Sequence, residues 1–262
     1  MIVFSALVPS SPFLFPSIGQ SATDKLKATL QAYQELSAHL YAAQPDIIVV
    51  VSSYKTVEAS TFFINQSPHY TGHVKEFGDL EFSFRRKGAI GFAHHWKESL
   101  ARTSPVQLHT KQDLHHTISI PAEILTKPLP RVKIIPVEVA DVSSDLHYQF
   151  GKESNSAFAS AQQRVAVCVL ATLSQKLSPD SPAGFSLAAK TYDTFMMSHI
   201  RKLDSEAIRS MDPELVEDAG ALSHDGIIWL LGLLEGMNAK SDVLSYESPF
   251  GIGYVSAEFI SR

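Results

Sequence analysis

Pro45-Asp46-Ile47-Ile48-Val49-Val50-Val51-Ser52-Ser53-Tyr54 is the stretch that decides the fold. All five residues from Ile47 to Val51 are β-branched, which restricts χ1 and favours an extended backbone. No polar residue alternates with them. Both faces of the segment must therefore be buried, the pattern of a strand inside a parallel sheet. Pro45 separates it from what precedes, and Ser52-Ser53-Tyr54 turns the chain away from its carboxyl end.

Upstream, Leu26, Leu30, Tyr33, Leu36 and Leu40 recur near helical spacing, which predicts a helix capped by Ser21 or Thr23 and running to about Ala43. Before it, Ile2–Val8 reads as a buried first strand, followed by a Ser/Pro loop from Pro9 to Gly19. Strand, helix and strand form a right-handed parallel βαβ unit. Ligands in such sheets bind beyond the carboxyl ends of the strands, so the Pro9–Gly19 loop and the Ser52-Ser53-Tyr54 turn should face one crevice.

Downstream, Thr61–Ile64, Val132–Val139 and Val165–Leu170 read as strands. Helices are predicted over 90–102, 118–125 with Pro121 in the first turn, 145–163, 187–200 and, after Asp212-Pro213, two further pieces. Residues 66–88, rich in Gly, Pro and His, read as an irregular excursion, with Arg85-Arg86-Lys87 as a solvated turn. Val243–Glu247 and Gly253–Phe259 close the chain as an antiparallel pair. No linker or repeat divides it, so the expectation is one α/β domain over 1–262 with a mixed, largely parallel central sheet flanked by helices.

The bulk properties bound the function. With 262 residues, 45% hydrophobic and 19% charged, the chain has an ordinary globular balance. A net charge of −5 without a basic stripe argues against nucleic acid. The longest apolar run, Ile227–Leu234, is too short to span a membrane, and the N-terminus reads as a strand rather than a signal peptide. The lone Cys168 allows no intrachain disulfide and reads as a buried strand thiol. These features predict a cytoplasmic protein.

An ordered set of segments then carries a resemblance. Val8-Pro9-Ser10-Ser11-Pro12 with Pro16-Ser17-Ile18-Gly19 resembles V-P-H-P-P…P-x-I-G, and Pro45–Tyr54 resembles P-D-x-I-V-V-I-S-P-H. Phe63-Ile64 with Gly72…Phe77-Gly78 resembles f-x-I…G-x-x-x-x-F-G, and Leu114–Pro121 resembles L-D-H-G-x-x-V-P. Leu173–Phe185 resembles G-D-L-S-H-R-L-T-P-D-x-P-x-G-F, and Ala219-Gly220-Ala221 resembles A-G-E. Collinear over essentially the whole chain, these segments resemble the class III extradiol ring-cleavage dioxygenases, in the subunit-B-like and Memo-like branch.

The resemblance implies non-haem iron chemistry, in which two His and one carboxylate hold one face of Fe(II) and leave positions for a catecholate and O₂. Carried over position by position, the two His ligands fall on Ser10 and Tyr54, the carboxylate on Ala221 and a catalytic His on Gln175. His116 is retained, and the Asp before it is His115. A Ser hydroxyl, an un-ionised Tyr and an Ala methyl do not replace two imidazoles and a carboxylate.

Three readings follow. The first is a degenerate, iron-free member with no cofactor, acting as a binding or partner subunit. It would take a small aromatic ligand, and assemble with copies of itself or with an active homologous subunit. The second is an active Fe(II)-dependent dioxygenase with rearranged ligands. His69 with His73, His94-His95, or Glu217 and Asp225 near the lost carboxylate are the donors it would draw on. The third is a metal-free enzyme with His116, or His115 if the register slips by one, as acid or base. Ser10-Ser11 lacks a located base and reads as a polar turn, and Gly251-Ile252-Gly253 as a turn between strands.

Overall fold

Within Ile47–Ser52, successive side chains enter two different cores, Ile47, Val49 and Val51 on one side and Ile48 and Val50 on the other. This is the direct consequence of period-two alternation in a strand covered on both faces. The computed structural model describes residues 1–53, 59–100 and 104–260.

The strands are β1 Ile2–Val8, β2 Ile47–Ser52, β3 Phe62–Asn65, β4 His69–Val74, β5 Asp79–Gly88, β6 Val106–His109, β7 Asp113–Leu114, β8 Lys133–Glu138, β9 Val165–Leu170, β10 Lys240–Glu247 and β11 Tyr254–Ile260. They form one sheet in the order β10-β11-β1-β9-β2-β8-β5-β4-β7, with β3 and β6 attached beside β8. The central β1, β9, β2 and β8 are parallel. The β10–β11 pair closes one side antiparallel to β1, as the sequence predicts.

The helices are α1 Pro16–Gly19, α2 Lys27–Ala43, α3 Ile90–Ser99, α4 His116–Thr126, α5 Ser144–Ser160, α6 Leu187–Lys202, α7 Ser205–Arg209, α8 Pro213–Asp218 and α9 His224–Leu233. Side chains of α2 and α4 pack in one core with Ile48, Val50 and Cys168. Those of α3, α5, α6 and α9 pack in the other with Val49, Val51 and Val167. The result is a single α/β domain with helices on both faces of a mixed, mostly parallel sheet. No helix among the described residues is long and apolar enough to cross a membrane.

Four local expectations need correction. Residues 66–88 are no irregular excursion. They form the antiparallel hairpin β4–β5, with Tyr70, Val74, Phe82 and Phe84 buried on one face and the turn eased by Gly78 at φ +84°. Arg85-Arg86-Lys87 lies in β5 rather than a turn, and Arg86 is paired with Glu123 at 3.1 Å. Neither Ser21 nor Thr23 caps α2. Residues 20–26 form a 3₁₀ turn, Thr23 donates to the Phe13 carbonyl at 2.9 Å, and the Thr29 N–H is satisfied at 2.8 Å by the Glu247 carboxylate from β10. Pro121 sits inside α4, which begins at His116, rather than in its first turn.

Candidate functional site

The carboxyl ends of β1, β9 and β2 release the chain at Val8, Leu170 and Ser52, side by side. The loops that leave them enclose a cavity of about 450 Å³. Its polar lining is Ser10, Ser52, Ser53, Thr117, Thr172, Ser223 and Gln175, and Leu170, Leu222 and Ile252 supply an apolar side. Two of the positions singled out by the resemblance, Ser10 and Gln175, thus face one hollow. Tyr54 lies outside the described residues.

Each wall is tied down. The Ser10 hydroxyl donates to the Thr117 carbonyl at 2.7 Å. The Thr172 N–H donates to Ser223 Oγ at 3.2 Å. The loop bearing Gln175 is held from beneath by Asp193. One carboxylate oxygen accepts the Ser174 N–H at 2.8 Å, and the other accepts the Tyr246 hydroxyl at 2.6 Å. Burial pushes the Asp193 pKa up, and those two donors partly offset it.

The remaining positions lie around this hollow rather than in it. Ala221 is buried and lines a neighbouring hollow of about 820 Å³, together with Glu217 and Asp225; Leu222 faces both. Glu217 and Asp225 therefore do not line the Ser10 cavity. His115 caps α4. Its Nδ1 stands 2.9 Å from Thr117 Oγ1 and accepts the Thr117 N–H at 3.4 Å. Burial, and then the neighbouring His116, bring the His115 pKa down to about 4, so the ring is neutral at pH 7. His116 points Nδ1 at Glu76 Oε1, 3.1 Å away, with its ring edge-on to Phe77. Burial lowers its pKa, and Glu76 works against that shift. It is the next residue, Thr117, that reaches the cavity.

The relocated donors do not converge. His69 and His73 lie exposed on β4, where His73 pairs with Asp113 at 3.4 Å and Glu76 at 3.6 Å. His94 pairs with Glu98 on α3 at 3.4 Å. Among the described residues, no group of three or more His, Cys, Asp or Glu side chains is placed to hold a metal ion.

Sequence reading missed Glu138 and His109. Glu138 ends β8 directly across from Ser52, is buried, and lies 3.9 Å from His109 Nε2; Phe63 stacks on the His109 ring. The available signal was a carboxylate closing the apolar run of β8, whose last five residues are all buried.

A family model described as the catalytic LigB subunit of aromatic ring-opening dioxygenase matches residues 5–257. The chain belongs to the LigB family. A Clostridium acetobutylicum protein, Protein CA_C1420, is 23% identical over 258 residues, which cover 95% of this chain and 55% of that protein. The chain thus spans about half the length of the curated relative it matches. The crystal structure of Escherichia coli K12 protein JW3007 superposes with a TM-score of 0.67 at 15% identity, covering 98% of this chain and 99% of that one. That likeness extends the shared fold over the whole length.

The LigB family normally depends on Fe(II). The donors that line this chain's cavity, six hydroxyls and one carboxamide among the described residues, do not fit that ion. Fe(II) in such sites takes imidazole and carboxylate, and neutral hydroxyls neither balance its charge nor match its ligand preference.

Proposed function

We propose that this chain is a LigB-family protein that binds rather than oxidises, an iron-free member that takes a small aromatic ligand and works as a partner subunit. What supports this reading is a neutral, hydroxyl-lined cavity that takes in Ser10 and Gln175, two positions where the resemblance implies imidazoles. Leu170, Leu222 and Ile252 give a ring an apolar face to lie against. Gln175 and the hydroxyls of Ser52 and Thr172 offer donors and acceptors to its substituents. The anchored Ser10–Thr117 and Ser174–Asp193 contacts fix the walls in advance, so little ordering is required on binding. In the Clostridium relative, the matched region is only 55% of the chain, so there this fold is joined to further polypeptide. That arrangement supports a role beside a partner.

The test is anaerobic titration of the metal-stripped protein with Fe(II), with iron quantified after desalting and ring opening of a catechol followed in air. The expected result is no retained iron and no ring-opened product. Retention of about one iron per chain, or catechol turnover, would overturn the reading in favour of rearranged ligands.

A further inference from the structure

At the opposite end of the sheet, a row of basic residues crosses three strands. His69 of β4 pairs in register with Lys87 of β5, and Lys87 pairs in register with Lys133 of β8. Residues paired across a ladder point to the same side, and like charges so placed repel. All three are exposed and line one open groove of about 1240 Å³, together with Arg131. Among the described residues, the ion pairs elsewhere engage Arg86, Lys152 and Arg209, and none engages Lys87, Lys133 or Arg131. The one carboxylate in the groove, Asp46, accepts the Arg164 N–H at 2.8 Å. On a chain of net charge −5, this groove concentrates positive charge.

Apolar residues share its lining. Pro68, Pro130 and the exposed Ile90 and Tyr41 lie in the same groove as the basic row. Ile47 and Lys133 start β2 and β8 here, whereas Ser52 and Glu138 end them near the candidate site. Six residues of strand separate the two places, roughly 17 Å.

We infer that this groove docks an extended acidic segment of a partner protein. An extended peptide sets alternate side chains roughly 7 Å apart on one face. Two acidic side chains at that spacing fall within reach of Lys87 and Lys133, and apolar side chains of the same segment have Pro68, Pro130 and Ile90 to pack against. The volume far exceeds that of a lone phosphate. Three cations, Lys87, Lys133 and Arg131, on an acidic protein are too few to hold a nucleic-acid backbone firmly at physiological salt. The inference is independent of what the Ser10 cavity binds.

The probe is a fluorescein-labelled octapeptide of alternating Glu and Val, with its Gln–Val counterpart, read by fluorescence anisotropy on the full chain. The Glu peptide should bind, weaken as salt rises, and lose about tenfold or more in affinity on the Lys87→Glu/Lys133→Glu protein. Lys87→Gln/Lys133→Gln, checked for an unchanged melting curve, should show a smaller loss in the same direction. Equal binding of the Gln peptide, or unchanged affinity in both variants, would sink the proposal. So would tighter binding of a single-stranded DNA octamer, or full displacement by millimolar inorganic phosphate, which would make the groove a general anion site.

Discussion

The Ser10 hydroxyl donates to the Thr117 carbonyl, and Pro121, four residues along α4, is the reason that carbonyl is open to it. In a helix the carbonyl of residue 117 would accept the N–H of residue 121, and proline has none. A side chain of the Pro9–Gly19 loop thus occupies the carbonyl that Pro121 leaves open.

This relationship predicts a coupled pair of substitutions. Ser10→Ala should cost about 1–2 kcal/mol in urea denaturation, because it strands a partly buried carbonyl. In a Pro121→Ala background the restored N–H at position 121 takes over, and the cost should shrink. An equal cost in both backgrounds would mean that Ser10 stabilises the fold by some other contact.

The α5–α9 interface makes a second prediction. A Cβ on Gly151 would lie 2.1 Å from the Trp229 carbonyl, and one on Gly232 would lie 2.1 Å from the Tyr148 carbonyl. Backbone cannot yield there cheaply, so Gly151→Ala should destabilise by about 2–3 kcal/mol. Gly91 on α3 has nothing within 4 Å, so Gly91→Ala should stabilise by roughly 0.5–1 kcal/mol. Melting temperatures that shift in the same direction would contradict this packing.

Acid sensitivity should trace in part to His224. Its ring is buried against Tyr192, 3.1 Å from the hydroxyl, and burial, then the charge of His147, lowers its pKa to about 4. The unfolded chain binds that proton more readily between the ordinary imidazole value of 6.5 and about 4. Stability from this group is therefore fully present above the higher value and is lost as pH falls toward the lower, on the order of 3 kcal/mol. His224→Gln should flatten the dependence of unfolding free energy on pH across that window. A slope identical to that of the parent protein would remove His224 from the account.

Cys168 should be inert in the folded protein. It is buried in β9, and desolvation pushes its thiol pKa up to about 12. Ellman's reagent should titrate no thiol natively and one in guanidinium. Rapid native labelling would show that β9 opens far more easily than its burial implies.

Much of this was legible because it is local. The β-branched run of β2, the apolar runs of β1 and β9 and the spacing in α2 state their own burial, whatever surrounds them. The alternation of Phe82 and Phe84 with Glu81, Ser83 and Arg85 was also present, but the Gly, Pro and His around it masked the β4–β5 hairpin. The start of α2 could not be read, since its donor is satisfied by Glu247, 218 residues away in sequence.

Sequence by itself determined the doubly covered parallel strands, the family framework and the absence of imidazole and carboxylate groups at Ser10, Gln175 and Ala221, because side-chain identity and short-range periodicity are properties of the chain alone. Only the tertiary structure decided which of these residues share a cavity. Gathering Ser10 and Gln175 depends on the parallel register of β1 and β9. Turning His116 to Glu76 and Ala221 to a neighbouring hollow depends on how α4 and the loop before α9 meet the sheet. The same holds for the row of His69, Lys87 and Lys133, where strand pairing makes neighbours of residues far apart along the chain.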